Sequence, residues 1–220
     1  MKRSEPSHAA NQVNYQELIR QTAIHEAGHA VAIYLGNRQK LLPPVFFQIV
    51  VKKLATDSPR YLSAFQACGT AKVEGGRLIH TLPSTIEEAT HDFSPEQKQA
   101  YQQAFEADIV NLLVGPLAEA RYIAWRDDEV INARLVNLNA LRYYGGTSDL
   151  DLAGEYLECL IDDREQRENK IGGLFMEAFA FINDASNWRA ITVLADYILA
   201  SPKTIIECEE VMALLNGYFI

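Results

Sequence analysis

The chain has 220 residues, 48% hydrophobic and 22% charged, which is enough for one sizeable domain with a core of its own. Its 29 acidic residues outnumber 20 basic ones, for a net charge of −9, and this disfavours nucleic acid as a partner, since phosphate binding wants clustered Lys and Arg. Three scattered cysteines (Cys68, Cys159, Cys208) form no CxxC pair, no apolar run follows Lys2-Arg3, and no stretch is long enough to span a membrane. The expectation is a soluble, cytoplasmic protein with reduced thiols.

Residues 1–13 are polar and without period, and read as a flexible tail ahead of a single domain over 14–217. Tyr15, Leu18, Ile19, Ile24, Ala27, Val31, Tyr34 and Leu35 recur at three- and four-residue steps, predicting a helix from about Tyr15 to Leu35 that stops at Gly36-Asn37. Inside it lies Ile24-His25-Glu26-Ala27-Gly28-His29-Ala30, an H-E-x-x-H pattern. Residues four apart share one helical face, so His25 and His29 point the same way, close enough to grip one metal ion. Two imidazoles suit zinc, and Glu26 stands beside them where it can take a proton from a metal-bound water. The small and apolar neighbours Ala23, Ile24, Ala27, Ala30 and Val31 are wrong for a surface helix. Two histidines and a glutamate in that setting need partners or a metal.

Beyond Pro43-Pro44 the texture changes. Val45 to Val51 is β-branched and aromatic and reads as a strand; Tyr61 to Val73 is a weaker strand. Gly75-Gly76 is a hairpin signal, with Arg77–His80 as the returning strand. Residues 81–93 read as a loop. Ser94-Pro95-Glu96-Gln97 opens a helix with a capping box, and Gly115-Pro116 should kink or break it. Leu117–Trp125 and Val130–Tyr143 follow as helices. Tyr143–Asp149 is a turn into a helix capped by Thr147 or Ser148 and running to about Ile161. Three more helices are predicted over 166–182, 187–199 (capped by Ser186) and 203–215 (started by Ser201-Pro202). The fold class is therefore mostly α (α+β): a helical domain with a small, mostly antiparallel β-sheet next to the HExxH helix.

A catalytic zinc needs a third protein ligand. Spacing does not choose among 29 carboxylates. Two contexts stand out: Glu119, between Ala118 and Ala120, and Asp149, at a glycine-rich turn entering a helix.

The ordered segments resemble the FtsH-type zinc metallopeptidase family, the protease domain of membrane-bound AAA+ proteases. His25-Glu26-Ala27-Gly28-His29-Ala30 is similar to its signature. Leu113-Val114-Gly115-Pro116-Leu117-Ala118-Glu119 resembles its glycine-rich helix, although Gly-Gly-Arg is usual where this chain has Val114-Gly115-Pro116. Gly145-Gly146-Thr147-Ser148-Asp149-Leu150 resembles the segment whose aspartate is the third zinc ligand. Leu194–Leu199 and Thr204–Leu215 look like its closing helices. The resemblance spans roughly 14–217 and implies Zn2+ held by His25, His29 and Asp149, with Glu26 as general base. Glu119 is then near the site, orienting a histidine. No GxxxxGK[ST] phosphate loop is present, so the resemblance is to the peptidase domain without its ATPase.

The function this implies is a zinc-dependent endopeptidase acting on peptides or unfolded proteins, with peptide laid along an edge of the small sheet at Tyr61–Val73. His80, His91 and Tyr144 are candidate oxyanion donors. The alternative is a catalytically weak, FtsH-peptidase-like binding or regulatory module that associates with a partner protease or ATPase. Family members assemble as hexamers, so a homo-oligomer is a further expectation.

Overall fold

A computed structural model describes residues 8–52 and 71–218. The elements run α1 (His8–Val31), α2 (Asn37–Gln39), β1 (Phe47–Val51), β2 (Ala71–Gly75), α3 (Ile86–Ala89), α4 (Pro95–Arg126), α5 (Thr147–Leu160), α6 (Arg164–Asn183), α7 (Ala185–Ala200), β3 (Ile205–Glu207) and α8 (Cys208–Tyr218). One π-helical segment, Ala32–Gly36, joins α1 to α2. The protein is mostly helical with a three-stranded antiparallel sheet in the order β2-β1-β3, as the sequence pattern leads one to expect. No helix among the described residues is long and apolar enough to cross a membrane.

Helices α1 and α4 form the frame. The apolar positions of α1 (Ala23, Ile24, Ala27, Ala30, Val31) are all buried, and so are Phe105, Ile109, Leu113, Leu117 and Ala118 of α4. The two backbones come close at Gly28, where an added Cβ would lie 2.9 Å from the Ala118 Cβ and 3.1 Å from the Val114 carbonyl oxygen. Small residues at such a crossing set how deep one helix sits in the other. Helix α4 begins at the capping box seen in the sequence, with the Ser94 side chain accepting from the Gln97 N–H and the Gln97 side chain accepting from the Ser94 N–H.

The sheet packs beside α1. Phe47 and Ile49 of β1 are buried, alternating with half-buried neighbours as the pleat requires. Ile49 pairs with Val73 on one side and Ile206 on the other.

Several boundaries differ from the sequence reading. Helix α1 starts at His8, ahead of the Tyr15 boundary and inside the stretch read as tail. Most of the Tyr61–Val73 strand lies outside the described residues; its last part belongs to β2, which runs on to Gly75. Arg77–His80 is not a returning strand. Gly75 and Gly76 do take positive φ, 84° and 79°, but the Leu78 and Ile79 N–H groups donate to the buried Asp108 carboxylate instead of to a ladder. The short helix α3 interrupts the loop expected over 81–93.

Helix α4 runs unbroken through Gly115-Pro116. An interior proline costs about 3 kcal/mol in a helix, and burial of the whole Leu113–Ala118 stretch between neighbouring elements offsets it. Residues 130–139 are not helical; only the 3-10 turn Ala140–Tyr143 forms there. Val130 and Leu135 are exposed, so their spacing marks no buried face. The Asn132 and Asn137 side chains capture the N–H groups of Arg134 and Ala140, the usual competition of asparagine with helix.

Helix α5 has Gly146 at its N-cap with no side-chain cap, in place of Thr147 or Ser148. Helix α7 is capped by Asp184, which accepts from Ser186 and Asn187, so Ser186 is not its cap. Ser201 closes α7 and starts no helix, because Ile205–Glu207 pairs with β1; α8 begins only at Cys208. The β-branched run Thr204-Ile205-Ile206 favours a strand where a partner edge stands ready.

Candidate metal centre

His25 and His29 sit one turn apart on the buried face of α1, both almost fully enclosed. Asp149 lies in the first turn of α5 and meets them from the other side. Its Oδ2 is 3.3 Å from His25 Nε2 and its Oδ1 is 3.5 Å from His29 Nε2. The two Nε2 atoms are 3.1 Å apart.

The outer ring nitrogens decide what those inner atoms are. His29 Nδ1 lies 2.8 Å from the backbone carbonyl oxygen of Asn111, which can only accept, so Nδ1 carries the proton. His25 Nδ1 lies 3.0 Å from Glu119 Oε2, another acceptor. In their neutral forms both imidazoles therefore turn an Nε2 lone pair toward the other and toward the Asp149 carboxylate. Three converging acceptors in a half-dry site need a cation or a proton between them.

The proton side of this balance is visible at His25. Burial opposes its imidazolium form. Hydrogen bonds to Asp149 and Glu119, with the charges of Asp149 and Glu26, outweigh that and hold it well above the ordinary value. Burial likewise pushes the Asp149 carboxyl up, but the two imidazoles prevail and hold it below its ordinary range.

The spacing fits a metal ion. Around a tetrahedral centre with bonds of about 2.0–2.1 Å, ligand atoms sit about 3.3–3.4 Å from one another. The two Nε2 atoms, 3.1 Å apart, and the Asp149 Oδ2, 3.3 Å from His25 Nε2, lie near that value, and one ligand atom from each of the three residues falls within 4.8 Å of the others. His25, His29 and Asp149 are the group of metal-ligating side chains that the described residues bring together.

Two glycines shape the site. A Cβ on Gly115 would fall 2.3 Å from His29 Nε2, so the ring occupies the space that a side chain there would fill. Gly145 has φ 71°, a conformation L-residues avoid, and a Cβ on it would lie 3.0 Å from Glu119 Oε2 and 3.1 Å from His25 Nδ1. Its bare backbone thus lies over the His25–Glu119 pair.

Glu26 is half-buried and reaches the sheet, where its Oε2 accepts from the Val73 N–H of β2 at 2.6 Å. Between β2, α4 and α5 a cleft of about 190 Å3 opens beside the metal ligands, lined among others by His29, Val73, Gly76, Arg77, Asp149 and Leu152. Its wall is held by Asp108, whose carboxylate also accepts from the Tyr156 hydroxyl at 3.2 Å. Burial holds the Asp108 carboxyl above its ordinary value against the pull of these donors.

Of the oxyanion candidates, His91 is exposed and paired with Asp92, His80 is exposed, and Tyr144 is half-buried against the core. None lines the cleft. Sequence reasoning missed the Asn111 carbonyl, the Val73 N–H and the Asp108 clamp. The first two are main-chain groups that do not depend on the side chain (proline's missing N–H aside), so no side-chain signal could have marked them. Gly115 stood out as a helix breaker and within the segment resembling a glycine-rich helix, not as the space into which His29 fits.

No protein-family model, no curated protein and no solved structure matches the chain. What the fold and the site define is a mostly helical α+β protein with a buried His–His–Asp group able to hold a metal ion, set beside a carboxylate and a cleft.

Proposed function

We propose that this protein is a zinc-dependent endopeptidase of the FtsH type, hydrolysing peptide bonds of peptides or unfolded proteins. The observation that carries the reading is the convergence of two imidazoles and one carboxylate on one place, with Glu26 and an open cleft alongside. Two imidazoles and one carboxylate suit zinc and leave a fourth position for water.

When bound, zinc would supply the Lewis acidity that makes a water nucleophilic near neutral pH and polarises a peptide carbonyl. Glu26 accepts the proton of the attacking water and returns it to the leaving amine. Glu119 and the Asn111 carbonyl hold the two rings in the tautomer that faces inward. Peptide would lie extended along β2, an edge strand among the described residues, pairing through main-chain hydrogen bonds that read little sequence.

The test is cleavage of casein by zinc-loaded wild type beside Glu26→Gln, with metal content measured in both. Activity in wild type that disappears in the variant at equal metal content supports the reading. Equal inactivity with metal bound would favour a binding or regulatory module that keeps the site without proteolysis. Equal activity in both would remove Glu26 as base.

A further inference from the structure

We propose that the backbone N–H of Val73 is the positioning group for Glu26, tying the base to the sheet edge; this rests on the peptidase reading above. Glu26 follows His25 in the helix, and successive helical residues point about 100° apart, so its carboxylate cannot share the face of the two imidazoles. It crosses from α1 to β2 instead. A glutamate has three rotatable side-chain bonds, and a base serves only when held within about 0.5 Å of its working position. The structure provides a holder: the 2.6 Å hydrogen bond from Val73 N–H to Oε2.

The register explains why the donor is available. Val73 stands opposite Ile49 in an antiparallel ladder, where alternate residues turn their N–H away from the partner strand. At Val73 the N–H points off the sheet toward α1, and Glu26 takes it. One carboxylate oxygen is thereby committed to the sheet, and the other remains to handle a proton. Val73 also lines the cleft beside His29 and Asp149, so the holder and the reacting region share one wall. A merely structural tie would leave turnover indifferent to the loss of this donor.

The experiment removes the donor by replacing the Lys72–Val73 amide with an ester in the full-length chain. Val73→Pro is the genetic counterpart, at a position where an edge strand tolerates proline. Metal content and far-ultraviolet circular dichroism check that each variant is folded. The expected result is a fall in kcat of about ten- to a hundredfold with KM within about twofold, because the base loses its holder while peptide binding persists. A raised KM with kcat preserved would overturn the proposal and make this N–H a peptide-pairing donor. Unchanged kinetics would overturn it as well.

A second measurement does not depend on activity. Amide hydrogen exchange at Val73 should be slow in wild type and fast in Glu26→Ala. Rapid exchange in wild type would overturn the proposal whatever the protease assay shows. Slow exchange in a metal-loaded chain that cleaves nothing would support the contact and strike the peptidase reading instead.

Discussion

Glu119 and Asp149 grip His25 from opposite ends of its ring: Glu119 Oε2 is 3.0 Å from Nδ1 and Asp149 Oδ2 is 3.3 Å from Nε2. The ring is thus oriented by one carboxylate and presented to the other. The two carboxylates come from different helices, α4 and α5, so the imidazole also fixes how those helices meet at α1. Removing the Glu119 charge should loosen the ring without removing a metal ligand. Glu119→Gln is expected to weaken zinc binding about 10- to 100-fold, measured by competition with a chelator. Affinity equal to wild type would show that Glu119 has no part in holding the site.

Gly115 should not tolerate a methyl group. Its Cβ would meet the His29 ring at 2.3 to 2.7 Å, within a crowded helix crossing. Gly115→Ala should cost about 1–3 kcal/mol in urea unfolding and lower metal affinity in the same variant, because the ring must move. Gly172 is the contrast. It lies inside α6 with nothing within 4 Å of an added Cβ, so Gly172→Ala should gain about 0.5–1 kcal/mol. Equal effects from the two substitutions would mean that the His29 ring is not wedged against Gly115.

Protons and metal should compete for the site. The folded metal-free chain holds the His25 proton more tightly than the unfolded chain does, since the His25 value is raised well above 6.5. The stability this contributes is fully present below the unfolded value and is lost as pH rises through the folded one. Metal ligation needs the neutral imidazole, so binding must expel that proton. Apparent zinc affinity should therefore climb with pH from 6.5 upward and level off above the His25 value. Proton release on adding zinc in weak buffer at neutral pH measures the same linkage. Zinc uptake with no proton released there would mean that His25 is already neutral.

Local rules made part of this protein legible from its residues. His25 and His29 share a face because a four-residue step on a helix allows nothing else, and the burial of Ala23, Ile24, Ala27 and Val31 follows from the same period. The Ser94–Gln97 capping box depends on atoms three residues apart, and it forms where the pattern places it. Fold class followed from the same short-range signals, as a helical period on one side and a β-branched run on the other.

The rest depended on contacts across the chain. Asp149 meets the histidines only because α5 packs against α4, which itself packs against α1, a relation between residues more than a hundred apart that no spacing rule encodes. The strand at Ile205–Glu207 overrode a plausible helix start because β1 offered it an edge. Gly115, which reads as a breaker in isolation, is the space into which His29 fits. The Val73 N–H and the Asn111 carbonyl carry no residue signature at all. The amino-acid sequence by itself determined which side chains stand together on one helix, because helical geometry is local. Only the tertiary structure decided which carboxylate and which backbone groups complete the site, because these are chosen by how the helices and the sheet pack.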